Sequence, residues 1–328
     1  MINTPTPETK IVKNVVPAIY LDTNVLIELS NYEKGCCKNE HVEKIGVLYT
    51  ALRNLMKDNR ILCVLGNQFE EMAVAPARKD ARRFLFGFTN AELKSPPQIK
   101  NAQFKAGYRA FATDMQIYTF EATEIVKKAK FVSGSSIEVH AIPAYSPEQI
   151  KELKQDKYIL AEKLNEAKIK KRIAKNYDEQ LKLELQADFN VFKYRLEHSA
   201  ESQEDFTNML DALAVMYSCI GLNPRNASHS DIVSAVDSYN QFLLSSYHHK
   251  LPYVWISSVL FAHIMQRQKK ISQSDNLDIT WASAYLPFVD YAVTDTSFCD
   301  LLNQSGLSTH YGTKVFCFKT INNLLEKL

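Results

Sequence analysis

The sequence predicts an α/β fold with a central parallel sheet, carrying a large, mostly α-helical insertion. Three observations predict it. Residues 15–21 and 61–65 are short apolar runs without alternation, the pattern of strands buried on both faces. Each leads into residues with apolar side chains at helical spacing, and strand–helix–strand–helix order implies parallel strands joined by crossover helices. The same alternation returns after residue 269, whereas strand signals nearly vanish over residues 76–270.

Taken in order, residues 1–14 form a polar tail containing Pro5 and Pro7. The first strand, 15–21, ends on Asp22, and residues 25–30 open a helix. Residues 41–57 carry Ile45, Leu48, Leu52, Leu55 and Met56 along one helical face. Gly66-Asn67 ends the second strand, and residues 68–74 start a helix bearing Glu70 and Glu71. These elements make residues 15–80 the first half of the core. Within the insertion, residues 81–268, helical character runs through 82–88, 103–130, 147–198, 204–220 and 231–246. The run 147–198 is dense in Lys and Glu and brings Leu153, Leu160, Leu164, Leu181, Leu185 and Phe192 near one face, the stripe of a bundle seam. Residues 136–142 are the strand candidate in that region. Residues 269–328 supply the second half of the core: a helix over 278–285, strands over 291–294 and 314–318, and a closing helix over 320–328.

At 328 residues, with 46% apolar and 23% charged side chains, the composition is that of a globular protein with a substantial core. The formal net charge of +2 demands no polyanionic partner, so nucleic-acid binding must rest on local basic patches. The six cysteines form no CxxC pair, which favours reduced thiols in a cytosolic protein over a zinc site. His248, His249 and His263 make no recognisable ligand set. The polar start lacks the apolar region of a signal peptide, and no run approaches the roughly 20 apolar residues of a membrane span. A cytoplasmic protein without membrane association is the expectation.

The chemistry gathers on acidic residues. Ile19-Tyr20-Leu21-Asp22-Thr23-Asn24-Val25-Leu26-Ile27 is an apolar strand that ends on a carboxylate and runs into a helix. Far along the chain, Asp278 stands at a helix start, and Tyr291-Ala292-Val293-Thr294-Asp295 is a strand ending on another carboxylate. Acids at strand ends and helix starts of an α/β sheet lie along the edge where such folds bind ligands. Gathered there they repel one another unless a cation joins them, which favours a hard divalent metal. A strand-end Asp taken alone is equally well an N-cap, contributing about 0.5–2 kcal/mol. Asp275 is an alternate ligand, while Asp290 and Asp300 read as a turn residue and a surface acid.

In order and context these strings resemble the PIN-domain nucleases, over roughly residues 15–80 and 270–328. The resemblance implies a PIN-like three-layer fold around the parallel sheet. It assigns Asp22, within an apolar-Asp-Thr-Asn-apolar string, to the first acidic position and Glu71 to the second, with its neighbour Glu70 as the alternative. Asp278 takes the third. Asp295 takes the fourth, within Val293-Thr294-Asp295-Thr296-Ser297-Phe298. Asn24 would fix the turn or the first carboxylate, and Thr294 would hydrogen-bond a carboxylate or the substrate phosphate. The long interval between Glu71 and Asp278 departs from compact members and leaves substrate choice open.

The implied activity is metal-dependent hydrolysis of phosphodiester bonds, in RNA rather than DNA, with Mg²⁺ or Mn²⁺ held by Asp22, Glu71, Asp278 and Asp295. Oxygen-only ligands argue against zinc. A toxin or defence-effector role follows from family analogy alone. One alternative is a PIN-like scaffold that binds RNA or protein without cleaving it. Another is a haloacid-dehalogenase-like phosphatase with Asp22 as nucleophile, a family that wants an Asp where Asn24 stands. Arg78, Lys79, Arg82 and Arg83 after the second acid, and Lys269 and Lys270 before the third, are candidate phosphate contacts. A solvated helix face explains them as well. The insertion is a candidate lid, homo-oligomer interface or dock for a protein partner.

Overall fold

The structure, a computed structural model, describes residues 7–38, 40–68, 72, 79–129, 147–169, 174, 176–198, 203–223, 225–267, 270–272 and 274–328. The chain divides into two compact units, one of residues 1–10, 97–120 and 171–268, the other of residues 11–96, 121–170 and 269–328.

The second unit holds the main sheet. Its strands are β2 (Ala18–Leu21), β3 (Leu62–Leu65), β4 (Ala91–Leu93), β6 (Val126–Ala129), β7 (Tyr291–Val293) and β8 (Lys314–Phe316), in the order β6-β4-β3-β2-β7-β8. β2 lies parallel to both β3 and β7, β3 to β4, and β7 to β8, while β6 is antiparallel to β4. Successive side chains on a strand point to opposite faces. Ile19, Leu21, Cys63, Leu65 and Val293 therefore enter one core together with residues of the helices Thr23–Glu33, Val42–Lys57, Lys79–Phe88 and Ile321–Leu325. Tyr20 points the other way and stacks on Trp281 of the helix Asp275–Tyr285, ring centroids 4.5 Å apart. Helices thus cover both faces of a mostly parallel sheet, the arrangement that lets its strands be apolar throughout.

Two side chains tie the amino-terminal ends of these strands. Asp290 accepts from Ala18 N through Oδ2 at 2.8 Å, and its own N–H donates to Ala18 O at 2.8 Å. Lys13 donates to Val289 O, Gly312 O and Thr313 Oγ1 at 2.7–3.1 Å, and burial pulls its ammonium below the usual lysine range.

The stretch expected to be mostly helical, with its strand candidate at 136–142, contains other strands. β4, β5 (Ile117–Glu121) and β6 lie within residues 76–270, and β1 (Glu8–Val12) lies in the polar tail, pairing with β5. β4 is three residues long, too short for alternation to register. The run 103–130 holds the helix Pro96–Ala112, which stops before Asp114 at φ 49°, a left-handed conformation that ends a helix; β5, the four-residue helix Ala122–Ile125 and β6 follow. The run 147–198 is likewise three helices: Pro147–Ile169, Tyr177–Leu185 and Ala187–Glu197. Asn176 starts the second by accepting Glu179 N at 3.0 Å. The first belongs with the sheet unit, where Asn165 pins the approach to Asp278: Nδ2 donates to Ile271 O at 2.9 Å and Oδ1 accepts Ile271 N at 2.8 Å. The strand candidate at 136–142 lies outside the described residues.

The first unit is built on helices around an aromatic core of Phe104, Phe192, Tyr239 and Phe242, with fully buried His248 packed edge-on against Phe104 and Phe242. Lys100 Nζ lies 2.8 Å from Asp188 Oδ1, and His248 Nε2 lies 3.3 Å from Asp188 Oδ2. Burial would raise the Asp188 carboxyl, but Lys100 and His248 beside it hold it well below the usual carboxylate range. Among the described residues no helix is long and apolar enough to cross a membrane.

Candidate active site

Sheet register sets Asp22 and Thr294 side by side. Leu21 of β2 is level with Val293 of β7, so both strands deliver their next residues to the same carboxyl edge. Asp22 N donates to Val293 O at 2.9 Å, and Thr294 N to Phe316 O of β8 at 3.0 Å. Asp22 is buried at 3% exposure, and its Oδ1 accepts the Thr23 N–H at 2.8 Å at the start of the first helix. Asp295, one residue beyond Thr294, is exposed. Its Oδ1 accepts from Ser297 N at 2.8 Å and Phe298 N at 3.1 Å, capping the helix Thr296–Gln304. Both bonds fall on Oδ1, which leaves Oδ2 for another partner. The capping role is therefore real for both acids, and it orients each carboxylate at the edge.

Asp278 lies on a helix that covers the opposite face of the sheet. It sits half-buried in the first turn of the helix Asp275–Tyr285, whose carboxyl end leads to Asp290 at the far end of β2. The chain thus passes from Tyr285, whose ring lies against Gly66 just past β3, to the amino end of β2. Trp281, one turn after Asp278, stacks on Tyr20, two residues before Asp22. Asp278 and Asp22 are thus linked through the Tyr20–Trp281 stack, one helical turn and two strand residues away from it.

Polar residues after β3 brace this edge. Gln68 is fully buried; its Nε2 donates to Leu21 O at 3.0 Å and its Oε1 accepts Gly66 N at 2.6 Å. It fixes the carbonyl just before Asp22. Asn67 Oδ1 accepts from the Tyr20 hydroxyl at 3.0 Å. Gly66 is required for a steric reason: a Cβ there would come within 2.4 Å of the fully buried Tyr285 ring. Sequence reading places Asn67 at the strand end and Gln68 at a helix start and assigns neither a role at this edge. Their signal was present, two amide side chains directly after an apolar strand, where a buried polar group needs a partner.

Asn24 is exposed on the first helical turn and, with Thr294 and Asp295, lines a cleft of about 510 Å³ beside the acids. Thr294 is 1% exposed, and its hydroxyl is buried without a hydrogen-bond partner. Of the remaining candidates, Glu70, Glu71, Arg78 and Lys269 lie outside the described residues. Lys79, Arg82 and Arg83 fall in the helix Lys79–Phe88, and Lys270 is exposed shortly before the helix that carries Asp278. Among the described residues no three His, Cys, Asp or Glu side chains stand together as a ready-made ligand cluster. Asp22, Asp278 and Asp295 offer carboxylate oxygens alone, which suits Mg²⁺ or Mn²⁺ and not a soft metal. Mg²⁺ in particular keeps several waters and takes one or two direct carboxylates, so a closed protein cage is not required. No protein-family model, curated protein or solved structure matches the chain.

Proposed function

We propose that this chain is a metal-dependent nuclease of the PIN type, cutting RNA in preference to DNA. The observation that carries the reading is the register of β2 and β7: it sets the residues after each strand, Asp22 beside Thr294 and then Asp295, at one carboxyl edge, while the helix bearing Asp278 packs through Trp281 on Tyr20, two residues before Asp22. Strand order and the two covered sheet faces suit the same reading.

Mg²⁺ or Mn²⁺ bound there would lower the pKa of a bound water and offset charge growing on the phosphate. Asp22, braced through Leu21 by Gln68, would hold the ion on the buried side; Asp278 and the exposed Asp295 would hold it toward solvent. Glu71, or its neighbour Glu70, would orient the attacking water. The unpaired Thr294 hydroxyl would donate to a phosphate oxygen, which removes the cost of leaving it buried and unbonded.

The test is incubation of the full chain with labelled single-stranded RNA and DNA in Mn²⁺, Mg²⁺ or EDTA, with Asp22→Asn alongside. RNA cleavage that needs metal and disappears in the variant is the expected result. Binding without cleavage would favour the scaffold, and a phosphorylated Asp22 detected by mass would favour the phosphatase.

A further inference from the structure

Beside Asp295, the cleft of about 510 Å³ has the size of a small-molecule site. Its lining is not that of a simple phosphate groove. Asn24, Ile27 and Glu28 stand at i, i+3 and i+4 on the helix Thr23–Glu33, so one stripe of that helix forms one wall. Phe318 and His41 form another, ring centroids 6.4 Å apart and tilted by 46°. Thr294 and Asp295 lie on the side of the catalytic edge, with the buried Thr294 hydroxyl unpartnered, and Lys319 adds a cation.

From these contents we infer that the cleft is a nucleobase pocket, and that it takes guanine from the nucleotide next to the phosphate being cut. Single-stranded nucleic acids are read by stacking a splayed base on an aromatic ring and bonding its Watson–Crick edge. Phe318 supplies the ring face. Glu28 supplies the reader: its carboxylate is acceptor-only, and a thiol, Cys37 Sγ at 3.4 Å from Oε2, is a weak donor to it. Guanine alone presents two adjacent donors, N1–H and the N2 amine, to the two oxygens of a carboxylate. Adenine, cytosine and uracil each set at most one donor beside an acceptor, which a carboxylate repels. Of the two other carboxylates in the wall, Asp295 is engaged by its helix-capping bonds, and Glu40 is 82% exposed and paired toward His41, so both are poorer readers. Lys319 would take a flanking phosphate.

The pocket's place beside a scissile phosphate rests on the nuclease reading; base binding itself does not. The experiment therefore has two arms on the full-length protein. In EDTA, where nothing is cut, saturation-transfer NMR compares GMP, AMP, CMP and UMP. In Mn²⁺, cut sites are mapped on single-stranded RNA of random sequence. GMP should bind at least ten-fold more tightly than the other three. Glu28→Gln, which puts a donor where an acceptor stood, should shrink that preference to less than three-fold, and Phe318→Leu should weaken all four nucleotides. Cut sites should carry guanine at one fixed flanking position in the wild type and lose that bias in Glu28→Gln. Equal binding of the four nucleotides, or a preference that survives Glu28→Gln, overturns the pocket. Metal-dependent cleavage without base bias overturns the pocket and leaves the nuclease standing. GMP selectivity lost in Glu28→Gln without any cleavage keeps the pocket and removes the nuclease.

Discussion

At Asp295 the observed capping role can be separated from the proposed metal-holding one, because serine can perform the first and not the second. In the structure its Oδ1 accepts two N–H groups at the start of the Thr296–Gln304 helix. Serine is an N-cap of similar rank, so Asp295→Ser keeps the cap and loses mainly the charge at the positive helix end, about 0.3–1 kcal/mol at an exposed site. For a unit of this size, where each kcal/mol moves Tm by about 2–4 °C, the melting temperature should fall by about 1–4 °C. Asp295→Ala removes the cap as well and should cost about 1–2 kcal/mol. Cleavage should respond quite differently. On the proposed role, losing this carboxylate removes transition-state stabilisation of about 3–4 kcal/mol, or about 10²–10³ in rate. Initial rates on labelled RNA, measured with thermal melts of the same preparations, test this directly. If Asp295→Ser cleaves within ten-fold of the wild type, Asp295 is a cap and nothing more.

Other consequences follow from the same unit and its neighbour. Trp281 is fully buried with its indole N–H unpartnered, so Trp281→Phe keeps the stack on Tyr20, sheds that penalty and should cost less than about 1.5 kcal/mol. Trp281→Ala should cost about 3–5 kcal/mol in urea unfolding, and equal losses in the two variants would show that the stack is not what holds the helix of Asp278. Gly66→Ala forces a methyl against the Tyr285 ring at 2.4 Å, which should destabilise by about 1–3 kcal/mol and slow cleavage; a neutral melt would mean that the ring gives way freely. In the helical unit, burial and then neighbouring His248 push the His249 imidazole from 6.5 down to about 4. A folded pKa below the unfolded one gives stability that is present above pH 6.5 and lost as pH falls through 4. Tm should therefore drop across that window, and drop less in His249→Asn; parallel curves would exclude His249 as the source.

The sheet and its acids were legible because each rests on a local signal. β2, β3 and β7 are compact apolar runs, and Asp22 and Asp295 sit where such runs end. Their closeness, by contrast, is a matter of register, visible only once Leu21 is seen beside Val293. Three other features left little trace. β4 and β6 pair through backbone in segments of three and four residues that include Glu92, Lys127 and Lys128, where composition does not favour strands. Asp114 breaks a helical pattern through one backbone torsion. Gln68 and Asn165 act by bonding to backbone far away in sequence, at Leu21 and Ile271, and a lone amide side chain does not announce such a partner. The Lys100–Asp188–His248 cluster is equally non-local, since its members come from three separate helices.

The metal centre is the claim on which the rest depends, and Mn²⁺ electron paramagnetic resonance measures it without reference to substrate. Titration of the wild type and of Asp22→Asn, matched for folding by circular dichroism, should show one or two Mn²⁺ ions bound by the wild type and loss of the tighter site in the variant. Equal Mn²⁺ binding by the two proteins, or none by the wild type, would contradict a metal centre at this sheet edge.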